Sequence, residues 1–362
     1  MNLKKIFKNK KIIITGHTGF KGSWLALTLK YFGGRVLGIS KDIPTSPSHF
    51  LASGVSKGIK SKKINIKNKL KLKNTIKKFK PDFIFHLAAQ SLVRTSYKNP
   101  EETWETNLIG TINVLDSIRY INKKVVIILI TSDKAYKNVE KREGYKETDT
   151  IGGDDPYSAS KSSAEIAIQS YFNSYFKNKK NIFLGVARAG NVVGGGDWSK
   201  DRLIPDCMRA WSKREKALIR NPKSTRPWQH VLEAVWGYIF FAGKLSLNKK
   251  LSGQAFNFGP NTVKNFKVIE LIKIIKKYWP NIKYKTPTKK SKNFHESSLL
   301  KLNCNKAKKY LRWKTVLTFS ETVKITAEWY RNFYDKKKKI NNISIEQIKK
   351  YQNLFDRRIK KL

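Results

Sequence analysis

The sequence predicts an α/β fold in which a doubly wound parallel sheet carries helices on both faces. Short apolar runs rich in β-branched residues, such as residues 12–14 and 125–130, alternate with helix-forming segments, as strands buried between two helical layers do. A glycine-rich turn at residues 16–22 joins the first run directly to the first helix. Right-handed crossovers then bring the strand ends to one carboxyl edge of the sheet, where we expect the functional site.

The turn contains three glycines at regular spacing, with Thr18 and Phe20 between them. Gly16 permits a tight turn, Gly19 lets backbone amides approach a diphosphate, and Gly22 lets the helix pack close to the strand. The diphosphate then meets the N–H groups and the positive dipole end of the helix. We therefore expect a Rossmann-type sheet whose first turn binds a dinucleotide cofactor.

The end of the second predicted strand, residues 36–39, bears on which dinucleotide is bound. Asp42 lies twenty residues after Gly22, where a carboxylate accepts hydrogen bonds from the adenosine ribose and repels a 2′-phosphate. The neighbouring Lys41 favours the opposite choice, because an ammonium can receive that phosphate. We expect NAD.

The remaining elements continue the alternation. Further strands are predicted at residues 64–66, 82–87, 125–130, 182–187, 217–220 and 255–258, and helices at 22–32, 69–79, 101–120, 157–176, 203–214, 231–243, 266–278 and 321–333. Residues 1–187 are expected to form the cofactor domain, to which residues 228–260 return. A smaller substrate-binding part is expected from residues 188–227 and 261–335, followed by a basic helical tail at 336–362.

The formal net charge of +49 comes from 75 Lys and Arg residues against 26 Asp and Glu residues. Such an excess can indicate a nucleic-acid partner. Here the charge is mostly lysine spread along the whole chain, and Asn and Ile are also abundant, which indicates a biased codon pool. We expect no nucleic-acid role, although the charge favours anionic nucleotide substrates.

Cysteine usage and hydropathy bear on the compartment. Cys207 and Cys304 do not make a disulfide framework, and neither has the neighbours of a metal site. No apolar run in the sequence is long enough to span a bilayer, and we find no secretory signal. We expect a cytoplasmic protein without a bound metal.

Tyr157 and Lys161 are four residues apart and open a predicted helix, so they share a helix face. An ammonium near a phenol favours the phenolate and lowers its pKa. A phenolate beside a nicotinamide can take the proton of an alcohol as hydride leaves carbon. The pair is therefore a candidate for catalysis.

Ser132, Asp133 and Lys134 follow the strand predicted at residues 125–130, at the same sheet edge. Ser132 can donate a hydrogen bond to a substrate oxygen. Asp133, if protonated in a closed site, can act as an acid toward a leaving hydroxyl. Lys134 can act as a base if burial lowers its pKa, or it can hold a water.

The glycine turn, residues 86–89 and the Tyr157–Lys161 pair resemble the extended short-chain dehydrogenase/reductase superfamily. Within it, the sequence is most similar to the CDP-glucose 4,6-dehydratases of the NAD-dependent epimerase/dehydratase family. The resemblance runs from about residue 11 to the C-terminus. The stretches that carry it are residues 16–24, 131–136, 152–158, 188–198 and 226–231.

The resemblance implies a lyase that works by internal oxidation and reduction. Tyr157 would deprotonate the 4-hydroxyl of CDP-glucose while hydride leaves C4 for NAD. Loss of the C5 proton and the 6-hydroxyl would release water, and hydride would return to C6 to give CDP-4-dehydro-6-deoxyglucose, used in lipopolysaccharide biosynthesis. Lys134 and Asp133 are the implied base and acid. Related dTDP-glucose dehydratases carry a glutamate at the Lys134 position, so the C5 base stays open.

The resemblance also implies binding residues and a homodimer built on helices 101–120 and 157–176. Asn65 stands where relatives carry an acid near the adenine, and an amide can still bond the adenine edge. The cofactor set is completed by the end of the fourth strand, Leu87, Ala88 and Ala89. The implied sugar-nucleotide ligands are Gln90, Asn191, Arg202, Arg220, Arg226 and His230, in which the arginines suit a diphosphate.

Two other functions stay open at this point. One is a different sugar-nucleotide dehydratase or an epimerase, against which Lys134 and the loop at residues 194–198 count weakly. The other is a nucleic-acid-binding or scaffold protein built on an inactive cofactor fold.

Overall fold

The computed structural model describes residues 1–260, 266–287, 300–336 and 338–360. The parts of the predicted substrate-binding segment at 261–265 and 288–299, and of the predicted tail at 337 and 361–362, lie outside the described residues.

The described chain contains thirteen strands, seven of which form one sheet. In chain order they are β1 (Lys11–Thr15), β2 (Arg35–Ser40), β3 (Lys60–Lys63), β4 (Phe83–His86), β5 (Val125–Ile130), β6 (Ile182–Ala189), β7 (Val192–Val193), β8 (Lys216–Leu218), β9 (Thr225–Arg226), β10 (Gln229–His230), β11 (Ala255–Phe258), β12 (Phe266–Lys267) and β13 (Lys283–Lys285). The sheet has the order β11-β6-β5-β4-β1-β2-β3 and is parallel throughout. The predicted doubly wound fold is confirmed.

The described α-helices alternate with these strands in the first half of the chain. They are α1 (Leu3–Phe7), α2 (Phe20–Tyr31), α3 (His49–Ala52), α4 (Lys69–Phe79), α5 (Val93–Lys98), α6 (Pro100–Trp104), α7 (Gly110–Ile118), α8 (Pro156–Tyr171), α9 (Leu203–Ser212), α10 (Val231–Leu247), α11 (Val268–Tyr278), α12 (Phe319–Asp335) and α13 (Ile340–Lys360). A π-helical turn at Glu105–Ile109 joins α6 to α7, and another at Phe172–Phe176 extends α8.

Strand β5 shows why the sheet lies between two helical layers. All six of its residues are buried, and successive side chains alternate between the two faces. Val126 and Ile128 join the apolar cluster that contains α2 and α10, whereas Ile127 joins the cluster under α4, α7 and α8. The continuous apolar run predicted at this position therefore has both faces covered.

Strand β11 pairs in parallel with β6, so the chain returns to the sheet after the segment that carries β7 to β10. Its bounds, Ala255–Phe258, agree with the predicted strand. This return brings α10 onto the face of β5 and β6.

The third strand is a correction to the sequence prediction. It spans Lys60–Lys63, not residues 64–66, and all four of its residues are exposed. Ile64 and Ile66 follow the strand and are buried in the core below α4 and α7. The apolar residues at 64 and 66 therefore belong to the segment that follows the strand. The lysine-rich strand itself is held by backbone hydrogen bonds to β2.

The last helix, α13, packs against the sheet domain. The ring of Tyr351 lies 4.7 Å from that of Trp236 in α10, and its hydroxyl donates a hydrogen bond to the buried Glu233. The described part of the predicted basic tail is therefore helical, with its inner face buried.

Candidate active site

The glycine turn lies against the chain that follows β4 and leaves no room for side chains at two positions. Gly16 has φ of +76°, and a Cβ there would come within 2.7 Å of the amide nitrogen of Ala88. A Cβ on Gly22 would come within 2.1 Å of the carbonyl oxygen of Gly16. The first turn of α2 therefore sits directly on the loop, and it carries no acidic side chain. Its N–H groups and dipole suit the diphosphate of a dinucleotide, so these residues fit NAD.

Lys41, which follows β2, forms an ion pair with Glu102. Its ammonium lies 3.1 Å from Oε1 of Glu102, whose other oxygen pairs with Lys67. The carbonyl oxygen of Asp42 accepts a 2.6 Å hydrogen bond from Oγ1 of Thr18, which ties it to the glycine turn. The exposed carboxylate of Asp42 is left as the group predicted to meet the ribose.

Tyr157 stands in the first turn of α8, and the local sequence explains why the helix begins there. Oδ1 of Asp155 accepts a 3.0 Å hydrogen bond from the amide of Ser158, and Pro156 is the first helical residue, the usual pattern of a helix start. The amide of Tyr157 donates to Oγ of Ser96 at 3.2 Å. The phenol is thus placed by the cap, the proline and the neighbouring helix α5.

Ser132 connects two groups that the sequence assigns to chemistry. Its Oγ donates a 2.8 Å hydrogen bond to Oδ1 of Asp133, and the same hydroxyl acts to lower the pKa of Tyr157. All three side chains are buried. The structure therefore brings the end of β5 and the start of α8 into one polar cluster.

The expected lowering of the Tyr157 pKa by Lys161 is not what the structure shows. Burial raises the pKa of Tyr157 to about 12, although the hydrogen bond to Ser132 and the charge of Arg202 act in the opposite direction. Burial and the nearby charge of Lys21 lower the pKa of Lys161 to about 8. Burial disfavours the charged form of both groups, since a closed site is a poor solvent for ions.

Asp133 is placed to hold a proton. Burial raises its pKa, while the hydrogen bond from Ser132 and the charges of Lys134 and Lys21 act against that rise. A Cβ on Gly190 would come within 3.0 Å of Oδ2 of Asp133, so the loop after β6 closes over the carboxyl group. A buried carboxyl group of raised pKa suits an acid.

Lys21 belongs to this site, although the sequence reasoning did not assign it a role. Burial and the charge of Arg202 lower the pKa of Lys21 to about 8, while Asp133 and Asp197 act to raise it. The lysine follows Phe20 inside the glycine turn, in the first helical turn, where a cation meets the unfavourable end of the dipole. A lysine inside a glycine turn and in the first turn of a helix is the sequence feature that could have indicated a functional role.

Two of the predicted arginine ligands, Arg202 and Arg220, are held in ion pairs. Nη1 of Arg202 lies 2.9 Å from Oδ2 of Asp197. Arg220 and Arg94 share Oδ1 of Asp201, at 2.7 and 2.8 Å, and this links α5 to the segment after β8. Nη1 of Arg226 in β9 donates to the carbonyl oxygen of Thr225 at 2.9 Å, and Asn191 is exposed just beyond β6.

Two predicted substrate ligands make hydrogen bonds within the fold. His230 is fully buried, and its Nδ1 accepts a hydrogen bond from the amide of Leu232 as the cap of α10. Gln90 directs its amide nitrogen to the carbonyl oxygen of Leu92 and to Oγ1 of Thr103, at 3.1 and 3.0 Å. Gln90 is therefore engaged by its neighbours, whereas His230 is removed from solvent by burial, and its Nε2 has no hydrogen-bond partner among the described residues.

A buried ion pair that was not predicted from the sequence joins the elements that carry the cluster. Nε of Arg188 in β6 lies 2.9 Å from both carboxylate oxygens of Glu165 in α8. Thr131, at the end of β5, donates to Oε1 of the same carboxylate at 2.6 Å. The pair fixes α8 against β5 and β6, and so fixes Tyr157 relative to Ser132.

The cofactor-side predictions lie at or near the same edge. Leu87, Ala88 and Ala89 follow β4 beside the glycine turn, and Asn65 follows β3, where its Oδ1 accepts from the amide of Lys67 at 3.0 Å. Within the described ranges, no group of three or more His, Cys, Asp or Glu side chains could hold a metal ion. The helices of those ranges are also too short or too polar to cross a membrane.

The chain matches known proteins along most of its length. Residues 13–326 match the family model described as GDP-mannose 4,6 dehydratase. Over 334 residues the chain is 40% identical to a protein of Salmonella typhimurium named CDP-glucose 4,6-dehydratase, with 91% of this chain and 92% of the relative covered. The resemblance found in the sequence is thereby confirmed.

Two solved structures share the fold. An epimerase from Methanothermobacter thermautotrophicus superposes with a TM-score of 0.78 at 22% identity, covering 93% of this chain and 97% of that one. The dTDP-glucose 4,6-dehydratase of Bacillus anthracis, solved in complex with NAD, superposes with a TM-score of 0.71 at 20% identity, covering 90% and 98%. The family model spans both the glycine turn and the cluster around Ser132 and Tyr157, and the chain belongs to the GDP-mannose 4,6-dehydratase family.

Proposed function

We propose that this protein is an NAD-dependent CDP-glucose 4,6-dehydratase. The observation that carries the proposal is the buried cluster of Ser132, Asp133 and Tyr157 beside the glycine turn. In one buried site, Tyr157 offers a base for an alcohol and Asp133 offers an acid for a leaving hydroxyl. The 40% identity to the Salmonella typhimurium protein supports CDP-glucose as the substrate.

The cofactor is held by the glycine turn and the neighbouring strand ends. The turn, including Thr18 and Phe20, would bind the diphosphate. The carboxylate of Asp42 would accept hydrogen bonds from the ribose hydroxyls. Lys41 is engaged by Glu102, which supports the choice of NAD over NADP. When bound, NAD supplies the hydride acceptor for C4 of the sugar and the hydride donor for C6.

Tyr157 acts first, by taking the proton of the 4-hydroxyl of the glucose. Its high pKa in the buried site makes the phenolate a strong base once formed, and Ser132 and Arg202 stabilise that phenolate. Lys161 lies one helical turn farther along α8. The carbonyl group that results at C4 acidifies the proton on C5.

Elimination of water follows at the other end of the cluster. The C5–H bond breaks and its electron pair forms the C5–C6 double bond, while the C6–O bond breaks. Asp133 gives its proton to the leaving oxygen, which departs as water, and Lys134 takes the proton from C5 and returns it to C5 when hydride is added at C6. Arg202, Arg220, Arg226 and Asn191 hold the nucleotide end of the substrate, where forked guanidinium groups suit a diphosphate.

We also infer that the protein acts as a homodimer in the cytoplasm, within a route to deoxysugars of lipopolysaccharide. Ile109 and Ile166, on the two helical segments predicted to form the dimer bundle, are 45% and 58% exposed. A second copy would cover these apolar side chains. Light scattering of the purified protein tests this, and a monomer would contradict it.

Cys207 and Cys304 are both free thiols, which accords with a reducing compartment.

The direct test is turnover with defined substrates. Purified protein is incubated with NAD and, in separate reactions, CDP-glucose, dTDP-glucose or GDP-mannose, and the 4-keto-6-deoxy product is followed by its absorbance in alkali. We expect product with CDP-glucose and at most a small fraction of that rate with the others. Preference for another nucleotide would overturn the choice of substrate, and a C4 epimer without loss of water would establish an epimerase. Salt-dependent retention on DNA, with no product from any sugar nucleotide, would favour the nucleic-acid alternative.

A further inference from the structure

The loop at residues 194–199 follows β7 and passes between α2 and α12 in a space that admits no side chain at Gly195. A Cβ there would come within 2.0 Å of the Trp329 ring in α12. The carbonyl oxygen of Gly195 accepts a 2.9 Å hydrogen bond from Nε1 of Trp24 in α2. The first half of the loop is therefore fixed against the helix that begins at the glycine turn.

Helix α12 holds the second half of the loop through aromatic side chains. The ring of Trp198 lies 4.7 Å from that of Phe333, and its Nε1 donates a 3.1 Å hydrogen bond to the hydroxyl of Tyr334. The hydroxyl of Tyr330 donates to the carbonyl oxygen of Asp197. The backbone of Asp197 is thus anchored directly and through the next residue, so its side chain leaves the loop in a fixed direction.

The carboxylate of Asp197 holds one nitrogen of Arg202. Asp197 is 4% exposed, its Oδ1 accepts a 3.0 Å hydrogen bond from the amide of Ser199, and its Oδ2 lies 2.9 Å from Nη1 of Arg202. The Arg202 side chain is 37% exposed, and its Nε and Nη2 have no hydrogen-bond partner within the described ranges. Arg202 is also the N-cap residue of α9, where a cation meets the unfavourable end of the helix dipole. The carboxylate offsets that unfavourable position.

The proposed function, on which this inference rests, assigns the diphosphate of the substrate to Arg202 among other residues. A free arginine side chain samples many rotamers, and ordering it on a ligand lowers the affinity. A carboxylate that already holds one guanidinium nitrogen removes much of this cost before the ligand arrives. The remaining nitrogens stay available to donate hydrogen bonds to phosphate oxygens.

We propose that Asp197 is a positioning residue that holds the guanidinium group of Arg202 in place for the diphosphate of the sugar nucleotide. Asp197 acts on the ligand only through Arg202, and no bond to either residue forms or breaks. The aromatic side chains of α12 and the indole of Trp24 serve the same end, because they fix the loop from which the carboxylate projects.

The test compares Asp197→Asn, Arg202→Gln and the double variant with the wild type, in the full-length protein with NAD. We expect the affinity for CDP, measured by calorimetry, to fall at least about fivefold in Asp197→Asn and roughly 10- to 100-fold in Arg202→Gln. KM for CDP-glucose should rise in parallel. The fall in kcat should be smaller than these changes, although the charge of Arg202 also acts on Tyr157.

The double variant separates positioning from a merely structural role. Because Asp197 acts through Arg202, adding Asp197→Asn to Arg202→Gln should change the CDP affinity by less than about twofold. The double variant also leaves no unpaired charge, so a loss of affinity caused only by poor folding should be reversed in it. The matched control is Asp206→Asn, which breaks the Asp206–Arg209 pair one helical turn farther along α9 and should keep the wild-type KM and CDP affinity.

Three outcomes would overturn the inference and leave the proposed function standing. They are a wild-type CDP affinity in Asp197→Asn, a further loss when Asp197→Asn is added to Arg202→Gln, and recovery of affinity in the double variant. A wild-type protein that binds CDP and does not dehydrate CDP-glucose would overturn the proposed function, and the CDP affinities of the variants would still decide the role of Asp197.

Discussion

Oγ of Ser132 donates a 2.8 Å hydrogen bond to Oδ1 of Asp133, and the same hydroxyl acts to lower the pKa of Tyr157. A serine has one proton to donate, so it cannot serve both groups at once. When Asp133 is ionised it holds that proton, and when Asp133 is protonated the hydroxyl is free to stabilise the Tyr157 phenolate. The acid of the elimination and the base of the oxidation are thus coupled through one side chain.

Replacing Ser132 by Ala should therefore affect both groups. We expect kcat with CDP-glucose to fall about 10- to 100-fold, because Tyr157 loses a donor that favours its charged form. Ser132→Thr keeps the hydroxyl and should retain most of the activity. Steady-state kinetics at a fixed pH checks this for both variants, and a wild-type kcat in Ser132→Ala would exclude the coupling.

Replacing Tyr157 by Phe should remove the base and spare the fold. We expect the rate of dehydration to fall by about 10²- to 10⁴-fold, because no other described group stands at the start of α8 to take the proton of the 4-hydroxyl. The burial of the ring is retained, so the urea midpoint should change little. A control for general loss of activity is Lys30→Met, an exposed side chain near the end of α2. Full activity in Tyr157→Phe would remove the central role given to this residue.

The glycine turn should tolerate no side chain at Gly22. A Cβ there would come within 2.1 Å of the Gly16 carbonyl oxygen, so Gly22→Ala must push α2 away from the loop. We expect NAD affinity, measured by calorimetry, to fall at least tenfold. Gly152→Ala is the control, since its Cβ would lie at an ordinary 3.5 Å from the Lys137 side chain. Equal NAD affinity in the two variants would show that the close approach is not needed.

The sequence predicted those parts of the fold that depend on local pattern. The runs at β5 and β11 are apolar because both of their faces are covered, and their predicted bounds agree with the structure. Strand β3 was misplaced because Lys60–Lys63 has no apolar pattern and pairs only as a sheet edge. Burial of Ile64, which follows the strand, gave the misleading signal.

The site was less predictable than the fold, because several of its features are contacts between distant segments. Asp133 and Tyr157 could be proposed from short motifs, although the effect of Ser132 on both groups is visible only in three dimensions. The Arg188–Glu165 pair joins β6 to α8. His230 was taken for a ligand on the resemblance of residues 226–231, and only the three-dimensional structure shows that it is buried and caps α10.

The Arg188–Glu165 pair should be a strong determinant of stability. Both side chains are buried, at 6% and 5% exposure, and removing one partner leaves the other charge without compensation. We expect Glu165→Gln to lower the free energy of unfolding by roughly 3–5 kcal/mol, measured by urea denaturation. The matched surface variant Glu328→Gln breaks the exposed pair with Lys324 and should change it by less than about 1 kcal/mol. Similar small losses in both variants would contradict a structural role for the buried pair.

Glu233 should make stability fall as the pH rises toward neutrality. Its Oε1 accepts hydrogen bonds from the amides of Val316 and Leu317, at 2.9 and 2.7 Å, and Tyr351 donates to its other oxygen. These bonds do not offset burial, which raises the pKa of Glu233 to about 7. Between the unfolded value of 4.5 and about 7, the folded state holds a proton that the unfolded state has lost. The free energy of unfolding contributed by this group is therefore greatest below pH 4.5 and decreases up to about pH 7.

Glu233→Gln removes this proton equilibrium and keeps the shape of the side chain. The free energy of unfolding of the variant relative to the wild type should therefore rise between pH 5 and pH 8, by at most roughly 3 kcal/mol, since each pKa unit corresponds to about 1.4 kcal/mol. Urea denaturation at several pH values measures the difference, and using the difference cancels the opposite contributions of Asp82 and Asp116, whose pKa values are lowered by their lysine and arginine partners. Glu346→Gln, an exposed carboxylate on α13, should show no such rise. A difference between Glu233→Gln and the wild type that does not vary with pH would mean that Glu233 is ionised in the folded protein at every pH tested, and that Tyr351 and the two amides suffice to stabilise its charge.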